Sequence, residues 1–218
     1  MSARRRRKLR FIFGAKQDNA AGFSLIELLA VIAIALIATA LIVPNMQTAI
    51  RGIRLNESSM NYANLLQQAR MRSVQDDRYY TVLTATDPVT GVPYAFVDLQ
   101  GTTIYVSGDP QMAFAAGVQP QSYSSGPGVT NLKSQFLPPG PLAQNSVNVT
   151  GSPTFGPRGL PCTPTPGPGG VTCGSITPTS YISFMQNTQG AAWQAVTVTP
   201  AGRIARWAYD GTTWSRMN

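Results

Sequence analysis

Gly22-Phe23-Ser24-Leu25-Ile26-Glu27-Leu28-Leu29 opens the stretch that decides how this chain reads, residues 23–43, FSLIELLAVIAIALIATALIV. Its 21 residues hold Glu27 as their only charge. Wound as a helix, such a run is long enough to cross a hydrocarbon core of roughly 30 Å. Immediately before it come Arg4, Arg5, Arg6, Arg7, Lys8, Arg10 and Lys16 against Asp18, so residues 1–22 carry +6 of the chain's net +8. A basic flank of this kind stays cytoplasmic, which predicts export of everything after Val43. A cleaved secretory signal, including a twin-arginine variant, accounts for part of the pattern. However, 21 apolar residues exceed a normal signal core, and Glu27 falls inside that core. A plain single-span anchor fits the length but leaves Glu27 unexplained, because ionisable groups at membrane depth are costly and usually partnered.

The rest of the composition narrows the function classes. The 218 residues include no His and 2 Cys, which excludes imidazole general-base catalysis, His-ligated metal and four-thiolate clusters. Charged residues make up 12%, about half the usual share. The 20 Gly and 17 Pro argue against an all-helical bundle. Residues 76–218 hold six Arg or Lys and six Asp, so a globally basic nucleic-acid binder is not indicated. Asp76 and Asp77 are adjacent; Asp87, Asp98, Asp109 and Asp210 are scattered, mostly beside Pro or Gly. No EF-hand spacing appears, and the Ser and Thr residues have no His partner. The expectation is a protein that is not an enzyme, with no metal and no cofactor.

The run from Gly22 to Leu29 closely resembles the class III signal of type IV prepilins and type II secretion pseudopilins. The resemblance implies that a membrane prepilin peptidase cuts between Gly22 and Phe23 and methylates the new N-terminus, leaving 196 residues. Glu27 then becomes the fifth mature residue and Pro44 the twenty-second, matching the family's acidic position and its helix-kinking proline. The implied organisation is a cleaved basic leader (1–22), a long helix with a transmembrane first half (23–75) and a β-rich exported head (76–218). The implied location is the bacterial inner membrane, single-pass, with a cytoplasmic N-terminus and a periplasmic head, and then a filament. The implied partners are prepilin peptidase, other pilins or pseudopilins of the same filament, the inner-membrane assembly platform and membrane lipid. In a filament of staggered subunits, Glu27 is expected to meet the α-amino group of a neighbour's Phe23 and so guide docking.

Beyond Pro44, which lacks an amide hydrogen and is expected to kink the rod, the helix is predicted to continue to about Val74. Met46, Ile50, Ile53, Met60, Ala63, Leu66 and Val74 recur near helical spacing and are read as the core-facing stripe. Fifty-odd residues make a helix about 78 Å long, with its exit at Gln75-Asp76-Asp77. Strands are predicted over 79–84, 94–99 and 102–106. Residues 107–178 hold 13 of the 17 Pro and read as irregular, with extended pieces around 132–137 and 146–150. Strands at 181–185, 192–199 and 203–209 follow. A last strand, 212–217, closes a hairpin through a two-residue Asp210-Gly211 turn.

The C-terminal half sharpens the resemblance. Phe155-Gly156-Pro157-Arg158-Gly159 and Thr199-Pro200-Ala201-Gly202-Arg203-Ile204 resemble one branch, the minor pseudopilin H of type II secretion and the FimT-type minor pilins. The implied fold is α+β, a long N-terminal α-helix packed on an antiparallel β-rich head. The implied function is that of a structural minor subunit. The alternative is a DNA-binding minor pilin of an uptake pilus, through a Gly-Arg-x-Arg pattern; here the second Arg of Gly202-Arg203-Ile204-Ala205-Arg206 comes one residue late. A two-residue turn pairs Tyr209 with Thr212, Trp207 with Trp214 and Ala205 with Arg216. One hairpin face then carries Arg203, Arg216, Trp207, Trp214 and Tyr209, and Arg206 takes the other. If exposed, cations and aromatics on one face grip a nucleic-acid backbone and stack its bases; if buried, they are a Trp pair with Arg at the sheet edge. Cys162 and Cys173 are expected to form a disulfide, because an exported head sits in an oxidising compartment. Metal and redox roles lack both His and a CxxC spacing.

Overall fold

The structure, a computed structural model, describes residues 24–137, 147–149, 151–167, 170–173, 179–189 and 192–217. The chain divides into two units, residues 1–44 and 45–218. Helix α1 (Leu25–Gln75, 51 residues) begins in the first and ends in the second. In the first unit, residues 24–40 are exposed on every side of the helix. A helix apolar all round needs an apolar environment from outside itself.

In the second unit α1 has a clear buried face. Leu55, Tyr62, Leu65, Leu66 and Ala69 are buried, and Ser58, Ser59 and Ser73 lie between them, a spacing of three and four that tracks one helix face. This corrects the predicted stripe. Of its members, Leu66 is buried, whereas Met46, Ile53, Met60 and Val74 are exposed. The serines explain the difference. Their hydroxyls are satisfied locally, Ser59 on Asn56 O and Ser73 on Arg70 O, and Ser58 Oγ accepts the Ala115 amide. They therefore bury without penalty and allow a close approach, although a hydrophobicity pattern reads them as surface. The helix ends where expected: Asp77 takes φ 52° and the Arg78 amide donates to Ser73 O, a left-handed helix stop.

Two antiparallel sheets pack on this face. The first runs β3 (Gln111–Ala113), β2 (Pro93–Asp98), β1 (Tyr80–Thr86), β6 (Thr154–Phe155). The second runs β12 (Trp214–Met217), β11 (Ile204–Tyr209), β10 (Trp193–Val198), β9 (Thr179–Asn187), β4 (Val118–Gln121). A short β5 (Val147–Val149) adds in parallel to β9. A separate ribbon pairs β7 (Pro164–Gly167) with β8 (Gly170–Cys173). Val82, Val97, Phe155, Tyr181, Met185 and Val198 join the α1 face in the main core. On the opposite face of the second sheet, α2 (Val129–Phe136) sets Leu132 against Ile182, Phe184, Ala195, Trp207 and Trp214. The fold is thus α+β, as expected.

Two local expectations fail for physical reasons. The piece predicted extended at 132–137 is mostly helix, because that winding aligns Val129, Leu132 and Phe136 on the side facing the second core. The strand predicted at 102–106 is loop. The buried Asp98 carboxylate accepts the amides of Gln100, Gly101, Thr102 and Thr103, and Asp109 accepts that of Val106. Side-chain acceptors have taken the donors that a ladder needs. Within 107–178, β3, β4 and β6 to β8 appear as short strands that Pro120, Pro164 and Pro166 disguise; proline is tolerated at edges and in ribbons of this kind.

Candidate functional site

Ser24 starts α1. Its backbone amide donates to Glu27 Oε2 at 3.0 Å, and the Glu27 amide donates to Ser24 Oγ at 3.3 Å, a reciprocal capping box in which each residue satisfies the other's open donor. Glu27 therefore has a partner inside its own chain, which the sequence reading missed although Ser-x-x-Glu spells it. Gly22 and Phe23 lie outside the described residues. Pro44 lies within α1, and its side chain is also outside them. Among the described residues, no helix is long and apolar enough to cross a membrane. The span expected over 23–43 includes Phe23, Leu41 and Val43, whose side chains are not described.

At the other end of the chain, the hairpin register differs from expectation. Tyr209 pairs with Trp214, Trp207 with Arg216 and Arg206 with Met217. The connection is four residues, not two, because Asp210 organises it. Its Oδ1 accepts the amides of Thr212 (2.8 Å) and Thr213 (2.7 Å), and Thr213 Oγ1 donates to Oδ2. These donors, the Thr213 amide first, hold the Asp210 carboxyl well below the usual range. A slip of two leaves the expected faces intact, but the face of Trp207 and Trp214 is not exposed. Trp207 is 6% and Trp214 2% exposed. Their indole N–H groups donate to Thr197 Oγ1 and Pro127 O, both at 2.9 Å. Arg206, on the face toward α1, donates to Asn56 Oδ1 at 2.9 Å. Arg203 and Arg216 are exposed. The five residues therefore do not form one cation–aromatic surface: two are buried in the second core and one is tied to α1.

The glycine-rich motifs at 155–159 and 199–204 meet at a residue absent from the sequence-derived candidates. Arg70 donates from Nε to Gly159 O (3.0 Å) and from Nη1 to Gly202 O (2.9 Å). Both glycines have positive φ, 68° and 75°, and a β-carbon on Gly202 would stand 2.8 Å from Gly159 O. Only glycine fits there. Cys162 and Cys173 are joined as expected, with Cα atoms 5.6 Å apart, and the link closes the β7–β8 ribbon. The Tyr181 hydroxyl donates to Cys162 O, tying that ribbon to β9.

A cleft of about 550 Å³ opens where, among the described residues, β9 has no strand partner between β5 and β4. Among the described residues, no charged side chain lines it. Its Tyr62 hydroxyl, 3.2 Å from Ser183 Oγ, is pushed up to about 12 by burial, so it acts as a hydrogen-bonding group rather than an acid or base near neutrality.

Residues 17–43 match the family model described as the prokaryotic N-terminal methylation motif. No curated protein and no solved structure matches the chain. The matched stretch contains Gly22, Phe23, Ser24 and Glu27 and runs into the exposed apolar turns of α1. The chain thus carries the N-terminal signal of type IV pilin-like proteins, the substrates of prepilin peptidase.

Proposed function

We propose that this chain is a structural minor subunit of a type IV pilus or a type II secretion pseudopilus. The observation that carries the reading is the methylation motif at 17–43 leading directly into helix turns that are apolar and exposed on all sides. Cleavage between Gly22 and Phe23 removes the +6 arm that resists extraction from the membrane. The new amine at Phe23 is methylated. The helix from Phe23 holds the chain in the bacterial inner membrane, N-terminus cytoplasmic and head periplasmic, until the assembly platform moves it into the filament. Glu27, tolerable in an apolar setting only when paired, meets the amine of a neighbour's Phe23 on docking. The stripe of Met46, Ile53 and Met60, seven residues apart and exposed, supports helix-to-helix packing with adjoining subunits.

Nucleic-acid binding through Arg203, Arg206 and Arg216 is the weaker reading. With Trp207 and Trp214 buried, it is left with phosphate contacts alone and no stacking platform.

The filament reading is tested by shearing surface filaments, or overproduced pseudopili, from producing cells and blotting for the chain. The expected result is a processed chain present at a small fraction of the principal subunit and lost from the filament in Glu27→Leu. A chain that stays wholly in the membrane fraction, or a Glu27→Leu chain incorporated normally, contradicts it.

A further inference from the structure

The last turns of α1 and two loops distant in sequence meet at one exposed surface. Arg70 fixes both loops through Gly159 O and Gly202 O. Val74 packs against the first loop, where a β-carbon on Gly159 would lie 3.0 Å from Val74 Cγ2, and the Tyr79 ring lies against Gly156. Met71 sits one helical turn before Val74, and Leu160 follows Gly159. All four apolar side chains, Met71, Val74, Tyr79 and Leu160, are exposed.

Arginines border this patch. Arg158 and Arg203, both exposed, adjoin the two glycines; Arg72 and Arg78 adjoin Met71 and Tyr79 in the chain. With Arg70 that makes five arginines, against Asp76, whose Oδ2 takes the Tyr80 hydroxyl, and Asp77. A single exposed apolar residue needs no explanation. Four together, with Arg158 and Arg203 exposed beside them and Arg70 pinning the loops, have the make-up of a protein interface, where Met, Tyr and Arg are enriched.

We propose that this surface docks a different protein, one that presents an apolar centre ringed by carboxylates. The apolar centre and the two aspartates beside the arginines disfavour nucleic acid, whose uniform negative charge they repel or fail to match. A second copy of this chain fits no better. It has nine Asp and Glu, of which Asp87, Asp98, Asp109 and Asp210 are engaged by backbone amides of their own loops. Asp76 and Asp77 lie beside the arginines themselves, Asp18 lies in the leader, Glu27 caps the start of α1, and Glu57 is a single exposed carboxylate farther along that helix. The chain therefore has no ring of free carboxylates to offer, and like-charged rims repel.

The test places a photoreactive amino acid at Leu160 of the full-length chain in producing cells, with Val89, 90% exposed on the β1–β2 turn, as the control position. The proposal expects one discrete adduct to a different protein from position 160 and none from 89. Arg158→Glu with Arg203→Glu is expected to lower the adduct yield by about tenfold, whereas Arg158→Lys with Arg203→Lys largely retains it. Neither substitution touches Arg70 or the disulfide, and equal protease resistance of both variants confirms the fold. No adduct above the control overturns the proposal. So does an adduct to nucleic acid or to a second copy, or a yield unchanged by the double Glu variant.

Discussion

The two stretches of α1 solve opposite problems. Between residues 24 and 40 the helix is at its most apolar and buries nothing. Between 45 and 75 it is more polar, yet its buried face includes Ser58, Ser59 and Ser73 beside Leu55, Tyr62 and Leu66. Apolar content therefore does not locate the core of this chain. What is buried depends on whether a sheet lies opposite and whether each hydroxyl finds an acceptor nearby. The first stretch is suited to an environment supplied from outside, the second to one the head itself supplies.

The sharpest way to break this comparison is a pair of substitutions on the second stretch. Leu66→Ala, at a fully buried site, is expected to cost about 2–5 kcal/mol. Met60→Ala, on the exposed stripe, should stay within about 0.5 kcal/mol. Chemical denaturation of the full chain in detergent measures both, and similar losses at the two sites contradict the assigned face. Next in size is the Cys162–Cys173 link, which spans 11 residues. Cys162→Ser with Cys173→Ser should lower stability by about 2–3 kcal/mol, less if the ribbon's prolines already restrict the unfolded chain. Arg70→Met, which keeps the stem but removes both hydrogen bonds to the glycine loops, should cost about 1.5–3 kcal/mol. Faster amide exchange at Gly159 and Gly202 should accompany it, and exchange unchanged at those two sites contradicts the clamp.

The smallest effect concerns Asp210. Its carboxyl is held below its ordinary value in the folded chain by the Thr213 and Thr212 donors. Its contribution is therefore fully present above the unfolded value of about 4 and is lost as pH falls through the depressed folded value. Asp210→Asn removes that contribution, so it should lower stability slightly at neutral pH and flatten the acid side of the curve, which an acid titration followed by tryptophan fluorescence would reveal. A variant that loses stability in acid as steeply as the parent contradicts the role assigned to this turn.

These same residues show what was legible in the sequence. The helix limits were legible, because the apolar run from Phe23 at one end and Gln75-Asp76-Asp77 at the other are local signals, and Ser24 with Glu27 adds a capping signal that went unread. The disulfide followed from compartment logic, and the strands around 80–86, 93–98 and 181–209 from β-rich composition. The buried face of α1 was misread because serines that satisfy themselves look like surface. The last hairpin was misread because Asp210-Gly211 is a favoured two-residue turn, and only in three dimensions do both threonines claim the carboxylate. Arg70 went unnoticed because its partners are backbone carbonyls 89 and 132 residues away, and no side-chain pattern in the sequence records them. The alternative of a nucleic-acid face weakened for a related reason: strand alternation placed Arg203, Trp207 and Trp214 together, but not which layer would cover them.

The most direct test of the account is the mass of the N-terminal peptide from the chain recovered in the membrane or filament fraction of producing cells. The account predicts a peptide that begins at Phe23, one methyl group heavier than its sequence, from a mature chain of 196 residues. A peptide that retains Gly22 and the arginine run, or a cut elsewhere within the apolar stretch, would contradict it.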